Sequence, residues 1–332
     1  MSSQTSFSQP GCSSTGPSPI TTSTPGRYAQ DAVRPRLLFS DLDGSLLDHH
    51  SYDWAPAAPW LARLYQLGIP VIPVTSKTRS ELLSLRKALG LEDLPFIAEN
   101  GAVVGLPSSW CHSGLERQAG SDGLVIKTLG VDIGFIRQRL RVWRERLKEA
   151  PGIRFTAMSE MTLDGLSTYT GLSDPEARLA RMREGSEPLV WEGSEAGLET
   201  FRASLAGDDL QLVQGGRFWH VTGKSHKGNA VSWMIERFAA LRGVTPLTLA
   251  LGDGPNDIAM LEAVDQAVVI QGCHGLPVEP RQTALYRTAA AGPKGWAEGV
   301  EYWWGRVDRR LTPAATSPST YAYTHTLAEL TS

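Results

Sequence analysis

Short apolar runs alternate with amphipathic segments along most of the chain, and this alternation limits the possible folds more than any other feature. Leu37–Phe39 is an apolar run, and Ala57–Leu67 follows it with apolar residues at helical spacing until Gly68. The later members of the alternation are Ile69–Val74, Thr78–Leu89, Phe96–Ala98, Gly228–Leu241, Thr248–Leu251, Asp257–Val264 and Ala267–Ile270. Repeated strand–helix–strand units predict an α/β fold, a Rossmann-like parallel sheet with helices on both faces.

Residues 107–222 interrupt this alternation with a charged helical pattern and an Arg/Glu-rich stretch. We expect them to form an inserted α+β cap domain that closes over a site. The core domain is then predicted to consist of residues 34–106 and 223–308.

The two ends of the chain differ from the rest in composition. Residues 1–33 are rich in Ser, Thr, Pro and Gln and contain few large apolar side chains. Such a segment cannot bury enough surface to offset its ordering entropy, so we expect a disordered N-terminal tail. Residues 309–332 are predicted to form a flexible C-terminal tail.

Charge and cysteine content exclude several classes of protein. The formal net charge is −3 and no basic block is present, which gives no reason to expect a nucleic-acid or membrane partner. The longest apolar runs are strand-sized, whereas a membrane helix needs ~20 residues. Three distant cysteines, Cys12, Cys111 and Cys273, argue against a disulfide framework and favour a cytoplasmic protein. The sequence predicts nothing about oligomeric state.

Three loops that follow predicted strands carry polar residues, namely Ser40–Asp48, Thr75–Thr78 and Gly252–Asp257. Ligands of parallel α/β sheets bind beyond the carboxyl ends of the strands. We therefore expect these three loops to converge at one edge of the sheet.

The first loop contains two carboxylates, Asp41 and Asp43, followed by Gly44, which permits the bend that would point both into one site. Their mutual repulsion requires a shared proton or a cation, and Mg²⁺ prefers oxygen ligands. Taken alone, the pattern also fits a Ca²⁺-like loop or an ordinary turn, although the later Glu of a calcium loop is missing.

The Gly252–Asp257 loop supplies a second acidic group at the same edge. Asp253 is the predicted metal ligand. For Asp257 two interpretations stay open, a carboxylate that supports the metal ligands or the N-cap of the next helix.

The Thr75–Thr78 loop precedes a predicted helix, and a helix N-terminus with hydroxyl and N–H groups favours a bound phosphate. The alternative is a plain capping sequence in which Thr75 or Ser76 is the N-cap and Glu81 lies in the first turns. Lys227 opens another predicted helix, where its ammonium would neutralise a carboxylate–phosphate cluster. Lys224 lies three residues earlier, and the sequence does not choose between the two lysines.

Taken together, these loops resemble those of the haloacid dehalogenase superfamily of phosphatases, and more narrowly those of the mannosyl-3-phosphoglycerate phosphatases. The matching stretches are DLDGSLLDHHSYDW, GIPVIPVTSKT, PFIAENGA, REGSEPLVW, HVTGKSHKGNAV, LGDGPNDIAMLEAVDQAVVI and GPKGWAEGV. The first and last polar loops occur throughout the superfamily. Ser-Lys-Thr, Ser-Glu-Pro and Gly-Pro-Lys-Gly-Trp are the narrower matches.

The resemblance implies a catalytic role for each matching residue. Asp41 would be the nucleophile and a metal ligand. Asp43 would be the general acid and base, with its backbone carbonyl on Mg²⁺. Thr75 would bind phosphoryl oxygens, Lys227 would hold the phosphoryl group and the nucleophile, and Asp253 would complete the magnesium site.

The resemblance also implies a set of substrate-binding residues: Ser76, Lys77, Asn100, Arg183, Ser186 and Glu187. Of these, the last three belong to the cap and would contact a glycerate carboxylate and sugar hydroxyls. Asn256 and Asp257 would support the metal site from behind. One departure from the superfamily is Ser45, where Thr is commoner, and a hydroxyl is retained.

The function implied by the resemblance is Mg²⁺-dependent hydrolysis of mannosyl-3-phosphoglycerate or glucosyl-3-phosphoglycerate, which would yield a compatible solute and phosphate. The alternatives are another sugar-phosphate phosphatase such as a sucrose-phosphatase, a phosphomutase, and a non-catalytic sugar-phosphate-binding domain. No rule of sequence distinguishes the mannosyl from the glucosyl ester.

Overall fold

The computed structural model describes residues 34–111, 120, 122–146, 152–214, 218–272 and 277–305. The predicted tails, Cys12 and Cys273 lie outside the described residues.

The described strands are β1 (Arg36–Ser40), β2 (Val71–Pro73), β3 (Phe96–Ala98), β4 (Val103–Pro107), β5 (Leu124–Thr128), β6 (Phe155–Ala157), β7 (Ser186–Trp191), β8 (Leu210–Gln214), β9 (Trp219–Gly223), β10 (Leu247–Gly252), β11 (Gln266–Gln271) and β12 (Leu285–Ala291). The described α-helices are α1 (Ala58–Gln66), α2 (Arg79–Ala88), α3 (Ile133–Arg146), α4 (Leu163–Thr170), α5 (Asp174–Ala180), α6 (Glu195–Ala206), α7 (Lys227–Arg242), α8 (Ile258–Glu262) and α9 (Gly292–Val300).

The central sheet has the strand order β12–β11–β10–β1–β2, and every neighbouring pair in it is parallel. Strand β1 alternates its side chains between two apolar layers, as a strand buried on both faces must. Leu38 packs in the layer that contains residues of α1 and α9, whereas Leu37 and Phe39 pack in the layer that contains residues of α7 and α8. This arrangement confirms the predicted α/β fold with helices on both faces.

A second sheet extends the first at its β2 end. Strands β3, β4 and β5 pair antiparallel, and a parallel bridge between Val74 and Ile97 joins β3 to the chain after β2. Strand β5 lies inside the segment that the sequence assigned to the insertion from residue 107 onward. Because β5 pairs with β4, we propose that the insertion begins near Gly130.

The inserted segment contains an antiparallel sheet with the order β6–β7–β9–β8. Leu189 of β7 and Val221 of β9 pack against buried residues of α3 and α6 on one face of this sheet. On the other face a small apolar cluster joins residues of α4 and α5. The insertion therefore has an α+β architecture. Among the described helices, none combines the length and apolar character that a membrane span requires.

Helix α2 begins with a capping box. Thr78 is the N-cap: its Oγ1 accepts a hydrogen bond from the Glu81 N–H (3.1 Å), and the Glu81 carboxylate accepts one from the Thr78 N–H (2.7 Å). The capping interpretation of this loop placed the cap at Thr75 or Ser76, and that placement was wrong. The reciprocal pairing of Thr78 and Glu81 satisfies two N–H groups at once, which neither earlier residue does.

We predict that Thr78→Ala lowers the free energy of unfolding by about 1–3 kcal/mol, because it removes the N-cap and the hydrogen bond from Thr78 Oγ1 to the Leu179 carbonyl (3.0 Å). Ser84→Ala, on the exposed face of the same helix, is the control and should change stability by no more than about 0.5 kcal/mol. Urea unfolding followed by circular dichroism measures both. Equal losses in the two variants would contradict the assignment of the cap.

Candidate active site

A buried ammonium lies between two buried carboxylates at the carboxyl edge of the central sheet. The Lys227 Nζ donates hydrogen bonds to Asp41 Oδ1 and to Asp257 Oδ1, each at 2.6 Å. Asp41 directly follows β1, and its N–H donates to the Leu251 carbonyl of β10 (2.9 Å). Lys227 is the first residue of α7. The side chain of Lys227 is 1% exposed, so all three charges lie away from bulk water.

Burial and mutual repulsion set the protonation of this group. Desolvation, together with the charge of Asp257, raises the pKa of Asp41 well above its usual value, although Lys227 opposes the shift. Burial disfavours the ammonium of Lys227, but the two carboxylates outweigh it and raise the pKa of this lysine. Lys227 is therefore a permanent cation at neutral pH.

The structure also separates the two candidate lysines. Lys224 pairs with Asp209 (2.6 Å), and its side chain is 71% exposed. Lys227, not Lys224, is the lysine at the carboxylate cluster.

Asp257 performs two tasks in the Gly252–Asp257 loop. Its Oδ2 accepts hydrogen bonds from the N–H groups of Asp253 (3.1 Å) and Gly254 (3.0 Å), while its Oδ1 holds Lys227. It makes no side-chain capping bond to α8. Of the two interpretations that the sequence left open, the structure therefore favours a supporting carboxylate.

The Asp253 carboxylate lies against Gly44 and Ser45 of the first loop. Its Oδ1 accepts a hydrogen bond from the Ser45 hydroxyl (3.1 Å). Gly44 has a φ of +83°, and a Cβ at this position would lie 2.4 Å from Asp253 Oδ2. Glycine is therefore required here for both the bend and the contact.

Three carboxylates are close enough to share one cation. An oxygen from each of Asp41, Asp253 and Asp257 lies within 4.8 Å of the others. Desolvation and the charge of Asp257 raise the pKa of Asp253 to about 6. With Lys227 as the cation among them, the ionised cluster carries two excess negative charges, so a divalent cation fits its donor set and its charge.

The Asp43 carboxylate lies outside that cluster and pairs with the Thr75–Thr78 loop instead. Its Oδ1 is 3.0 Å from Lys77 Nζ, which lies 4.8 Å from the centre of the Tyr52 ring. Burial opposes the ammonium of Lys77, but Asp43, Tyr52 and Glu81 together offset it and raise the pKa of Lys77. Lys77 thus fixes the orientation of the predicted acid–base carboxylate.

Thr75 lies beside the end of β1, as predicted. The residue before it, Val74, donates its N–H to the Ser40 carbonyl (2.7 Å), and Thr75 itself is fully buried. The Thr75 Oγ1 accepts a hydrogen bond from the Lys77 N–H (3.2 Å). Asn100 donates its N–H to the Thr75 carbonyl (2.9 Å), and the Asn100 Oδ1 accepts from Asn256 Nδ2 (3.3 Å). These contacts bring the loop, Asn100 and Asn256 together.

Glu99 joins the core to the insertion, and the sequence analysis missed it although it lies in the quoted PFIAENGA stretch. Its carboxylate is 1% exposed and accepts hydrogen bonds from the Ser186 hydroxyl (2.6 Å) and from the N–H groups of Glu184 (2.8 Å) and Gly185 (3.2 Å). Arg183 Nη1 adds a bond to the Ser76 carbonyl (2.9 Å). Arg183 and Ser186 therefore lie at the junction with the Thr75–Thr78 loop.

Glu187 is separated from the other candidates. Alternation along β7 directs it to the same face as Leu189, and it is fully buried. Its carboxylate pairs with Arg137 of α3 (2.6 Å) and accepts a hydrogen bond from the Ser159 N–H (2.8 Å). The structure thus assigns Glu187 a place inside the insertion rather than beside the carboxylate cluster.

Trp296 supports the Asp41 backbone from behind the sheet edge. Its Nε1–H donates to the Ser40 hydroxyl (2.9 Å), which donates in turn to the Asp41 carbonyl (2.6 Å). Trp296 is the tryptophan of the GPKGW motif and is fully buried. The sequence singled out this motif but gave it no role.

Comparisons with known proteins agree with this geometry. Residues 38–112 match a family model described as haloacid dehalogenase-like hydrolase, a segment that includes Asp41, Asp43, Thr75 and Asn100. A phosphatase of the haloalkanoate superfamily from Bacteroides thetaiotaomicron is 19% identical, with 87% of this chain and 98% of that chain covered and a TM-score of 0.57.

Two further solved structures are similar. A subclass IIB sugar phosphatase of the haloacid dehalogenase superfamily is 16% identical, with 80% of this chain and 98% of that chain covered and a TM-score of 0.54. A haloacid dehalogenase-like hydrolase from B. subtilis is 18% identical, with 80% and 97% covered and a TM-score of 0.52. At these identities the likeness shows a common fold alone.

We predict that Mg²⁺ stabilises the protein more strongly as pH rises. In the metal-free protein the pKa of Asp253 is raised from 3.8 to about 6, so the folded state binds this proton more tightly than the unfolded chain. The contribution of Asp253 to stability therefore falls as pH rises from about 4 to 6. Mg²⁺ replaces that proton, so its effect on Tm should be larger at about pH 7.5 than at about pH 5.

Thermal unfolding with Mg²⁺ and with a chelator measures this effect. Asp253→Asn should abolish most of the Mg²⁺-dependent shift, whereas Asp164→Asn, an exposed position in α4, should keep it. A shift in Tm that does not depend on pH would refute the assignment of Asp253.

We predict that Glu99→Gln destabilises the contact between core and insertion. An amide replaces one acceptor oxygen by an NH₂ group that faces other donors, which costs about 1–3 kcal/mol of unfolding free energy. Glu92→Gln, an exposed site in the preceding loop, serves as the control and should be close to neutral. Urea unfolding measures the free energy of unfolding of the two variants. An unchanged value in Glu99→Gln would show that these hydrogen bonds make no net contribution to stability.

Proposed function

We propose that this protein is a Mg²⁺-dependent phosphatase that hydrolyses a phosphorylated sugar acid through an aspartyl-phosphate on Asp41. The observation that carries the proposal is the buried contact of Lys227 Nζ with Asp41 Oδ1 (2.6 Å). A carboxylate held by a buried ammonium at the carboxyl edge of a parallel sheet is placed to attack an electrophile that carries negative charge.

In the first step an Asp41 carboxylate oxygen attacks phosphorus and the bond from phosphorus to the ester oxygen breaks. Lys227 reduces the repulsion between the carboxylate and the phosphoryl group. Asp43, which Lys77 holds in position (3.0 Å), gives its proton to the leaving alcohol. General acid catalysis of this kind contributes about 10²–10⁴-fold.

In the second step water attacks the phosphorus of the aspartyl-phosphate. Asp43, now a carboxylate, accepts the proton of that water, and inorganic phosphate leaves with Asp41 restored. The Thr75 hydroxyl, which accepts a hydrogen bond from the Lys77 N–H (3.2 Å), donates its own proton to a phosphoryl oxygen.

Asp41 and Asp253, with the Asp43 backbone carbonyl, are the residues that would hold Mg²⁺. Asp257 supports them from behind through Lys227 and the Asp253 N–H (3.1 Å). When bound, the ion supplies neutralisation of the charge on the carboxylates and the phosphoryl group.

For the substrate we propose mannosyl-3-phosphoglycerate or glucosyl-3-phosphoglycerate, so that the product would be a glycosylglycerate that can act as a compatible solute in the cytoplasm. The narrow sequence matches support this choice. The guanidinium of Arg183, which donates to the Ser76 carbonyl (2.9 Å), also supports it, because a guanidinium suits the carboxylate of a sugar acid. A protein of the same fold is described as a sugar phosphatase.

We predict that Asp41→Asn abolishes Mg²⁺-dependent phosphate release, with a loss on the order of 10⁴-fold in kcat, because the amide cannot form the acyl phosphate. Asp164→Asn is the matched control and should keep full activity, since its side chain is exposed on α4. Phosphate release with p-nitrophenyl phosphate and with the sugar esters measures both. Full activity in a clean preparation of Asp41→Asn would refute the mechanism.

We predict that the two glycosyl-3-phosphoglycerates give a higher kcat/KM than sucrose phosphate. In ¹⁸O-enriched water each phosphate released should contain one oxygen from water, as hydrolysis requires. A phosphomutase would instead return the phosphoryl group to a sugar without label. A preference for sucrose phosphate would refute the proposed substrate while leaving the phosphatase mechanism intact.

A further inference from the structure

A cavity of about 330 Å³ lies between the sheet of the insertion and the core, next to the candidate active site. Its lining includes Ser186 and His220 from the insertion and Asn100, Asn256 and Lys227 from the core. Lys227 is the ammonium that holds Asp41, so the cavity adjoins the place where the phosphoryl group would be transferred. Its volume is at the lower end of the ~300–1,000 Å³ that small-molecule sites occupy.

His220 faces this cavity because of its position in β9. Its neighbour Val221 packs against α3 and α6, so alternation along the strand turns His220 to the opposite face, toward the core. The residue is only 7% exposed. Its imidazole is thus a buried polar group on the wall of the cavity.

No described residue forms a hydrogen bond with His220 Nδ1. Among the described buried side chains, the other atoms without such a bond are guanidinium Nε atoms, an Asp43 oxygen that pairs with Lys77, and the Ser225 hydroxyl. Ser225 lines the same cavity. A buried polar group that lacks a partner costs about 1–3 kcal/mol, and a histidine required only for packing would not keep that cost.

The charge state of His220 defines what it can bind. Burial, with the nearby charge of Arg183, lowers the pKa of His220 to about 3, so the ring is neutral at physiological pH. A neutral imidazole has one N–H donor and one acceptor nitrogen. It therefore suits a hydroxyl group, which both donates and accepts, better than a carboxylate, which only accepts.

We propose that this cavity holds the hydroxylated, untransferred part of the substrate and that the imidazole of His220 forms a hydrogen bond with one of its hydroxyl groups. His220 is then a specificity-determining residue. The inference rests on the proposed phosphatase function. Two residues then share the recognition of the leaving group. Arg183 supplies the positive charge for an acid, and His220 selects an uncharged hydroxylated group.

The test compares His220→Leu, which removes both ring nitrogens, with His220→Asn and His220→Gln, whose amides reach the two positions of those nitrogens. The substrates are mannosyl-3-phosphoglycerate, glucosyl-3-phosphoglycerate and p-nitrophenyl phosphate, whose leaving group has no sugar hydroxyls. In His220→Leu we expect the KM of the better sugar ester to rise about tenfold, the value of one hydrogen bond. The kcat/KM for p-nitrophenyl phosphate should stay within about twofold.

At least one amide variant should restore the sugar-ester KM to within about threefold of the wild-type value. Val221→Ala, the adjacent residue on the opposite face, is the control: it should lower Tm without changing the ratio of the two KM values. If His220→Leu does not fold, a KM difference of about threefold or more between the Asn and Gln variants carries the same information.

Three outcomes would overturn the inference: an unchanged sugar-ester KM in His220→Leu, a parallel loss with p-nitrophenyl phosphate, or no recovery in either amide variant. If His220→Leu does not fold, equal KM values in the Asn and Gln variants would overturn it. A wild-type protein that hydrolyses p-nitrophenyl phosphate with Mg²⁺ but neither sugar ester would overturn this inference alone. A wild-type protein without activity on any phosphate ester would overturn the proposed function as well.

Discussion

The ammonium of Lys227 lies between Asp41 and Asp257 in the buried interior, and the geometry of the site depends on this arrangement. Removing one partner of a buried ion pair costs about 3–5 kcal/mol, because the remaining charge is left uncompensated. The helix that begins at Lys227 reaches the loops only because Gly101 has no side chain: a Cβ there would lie 2.4 Å from the His226 carbonyl oxygen. The Lys227 ammonium, the helix start and the Glu99–Gly101 turn are therefore fixed together.

The sheet and the polar loops at its edge could be predicted from sequence because both follow local rules. A buried strand is visible in the sequence as an apolar run, and parallel strands bring the loops after them to one edge of the sheet. The loops that contain Asp41, Thr75 and Asp253 were therefore placed correctly at one edge. Whether Asp257 is a supporting carboxylate or an N-cap was left open, because the choice depends on the path of the loop in space. The cap at Thr78 was missed because capping depends on which side chain reaches the free N–H groups.

The insertion was harder to read, since its residues take their roles from the docking of two sheets. Ser186 and Glu187 are neighbours in sequence, yet alternation along β7 directs the first to Glu99 and the second to Arg137. The sequence carries no signal for which face of β7 meets the core, so it predicted the same substrate-binding role for both residues. The same holds for His220, whose place beside the cavity becomes visible only once Val221 is seen to pack against α3 and α6.

Charge also connects the insertion to the core at the Thr75–Thr78 loop. The carboxylate cluster contains more negative charge than Lys227 can neutralise, and such a cost is retained in proteins chiefly at functional sites. A cation bound there offsets this excess, but a phosphate ester brings negative charge of its own and needs further cations. Two cations lie at the Thr75–Thr78 loop. Lys77 is part of the loop, and Arg183 of the insertion donates a hydrogen bond to the Ser76 carbonyl (2.9 Å). On the proposed function, binding of an anionic ester and contact between insertion and core would stabilise each other, because the second cation belongs to the insertion.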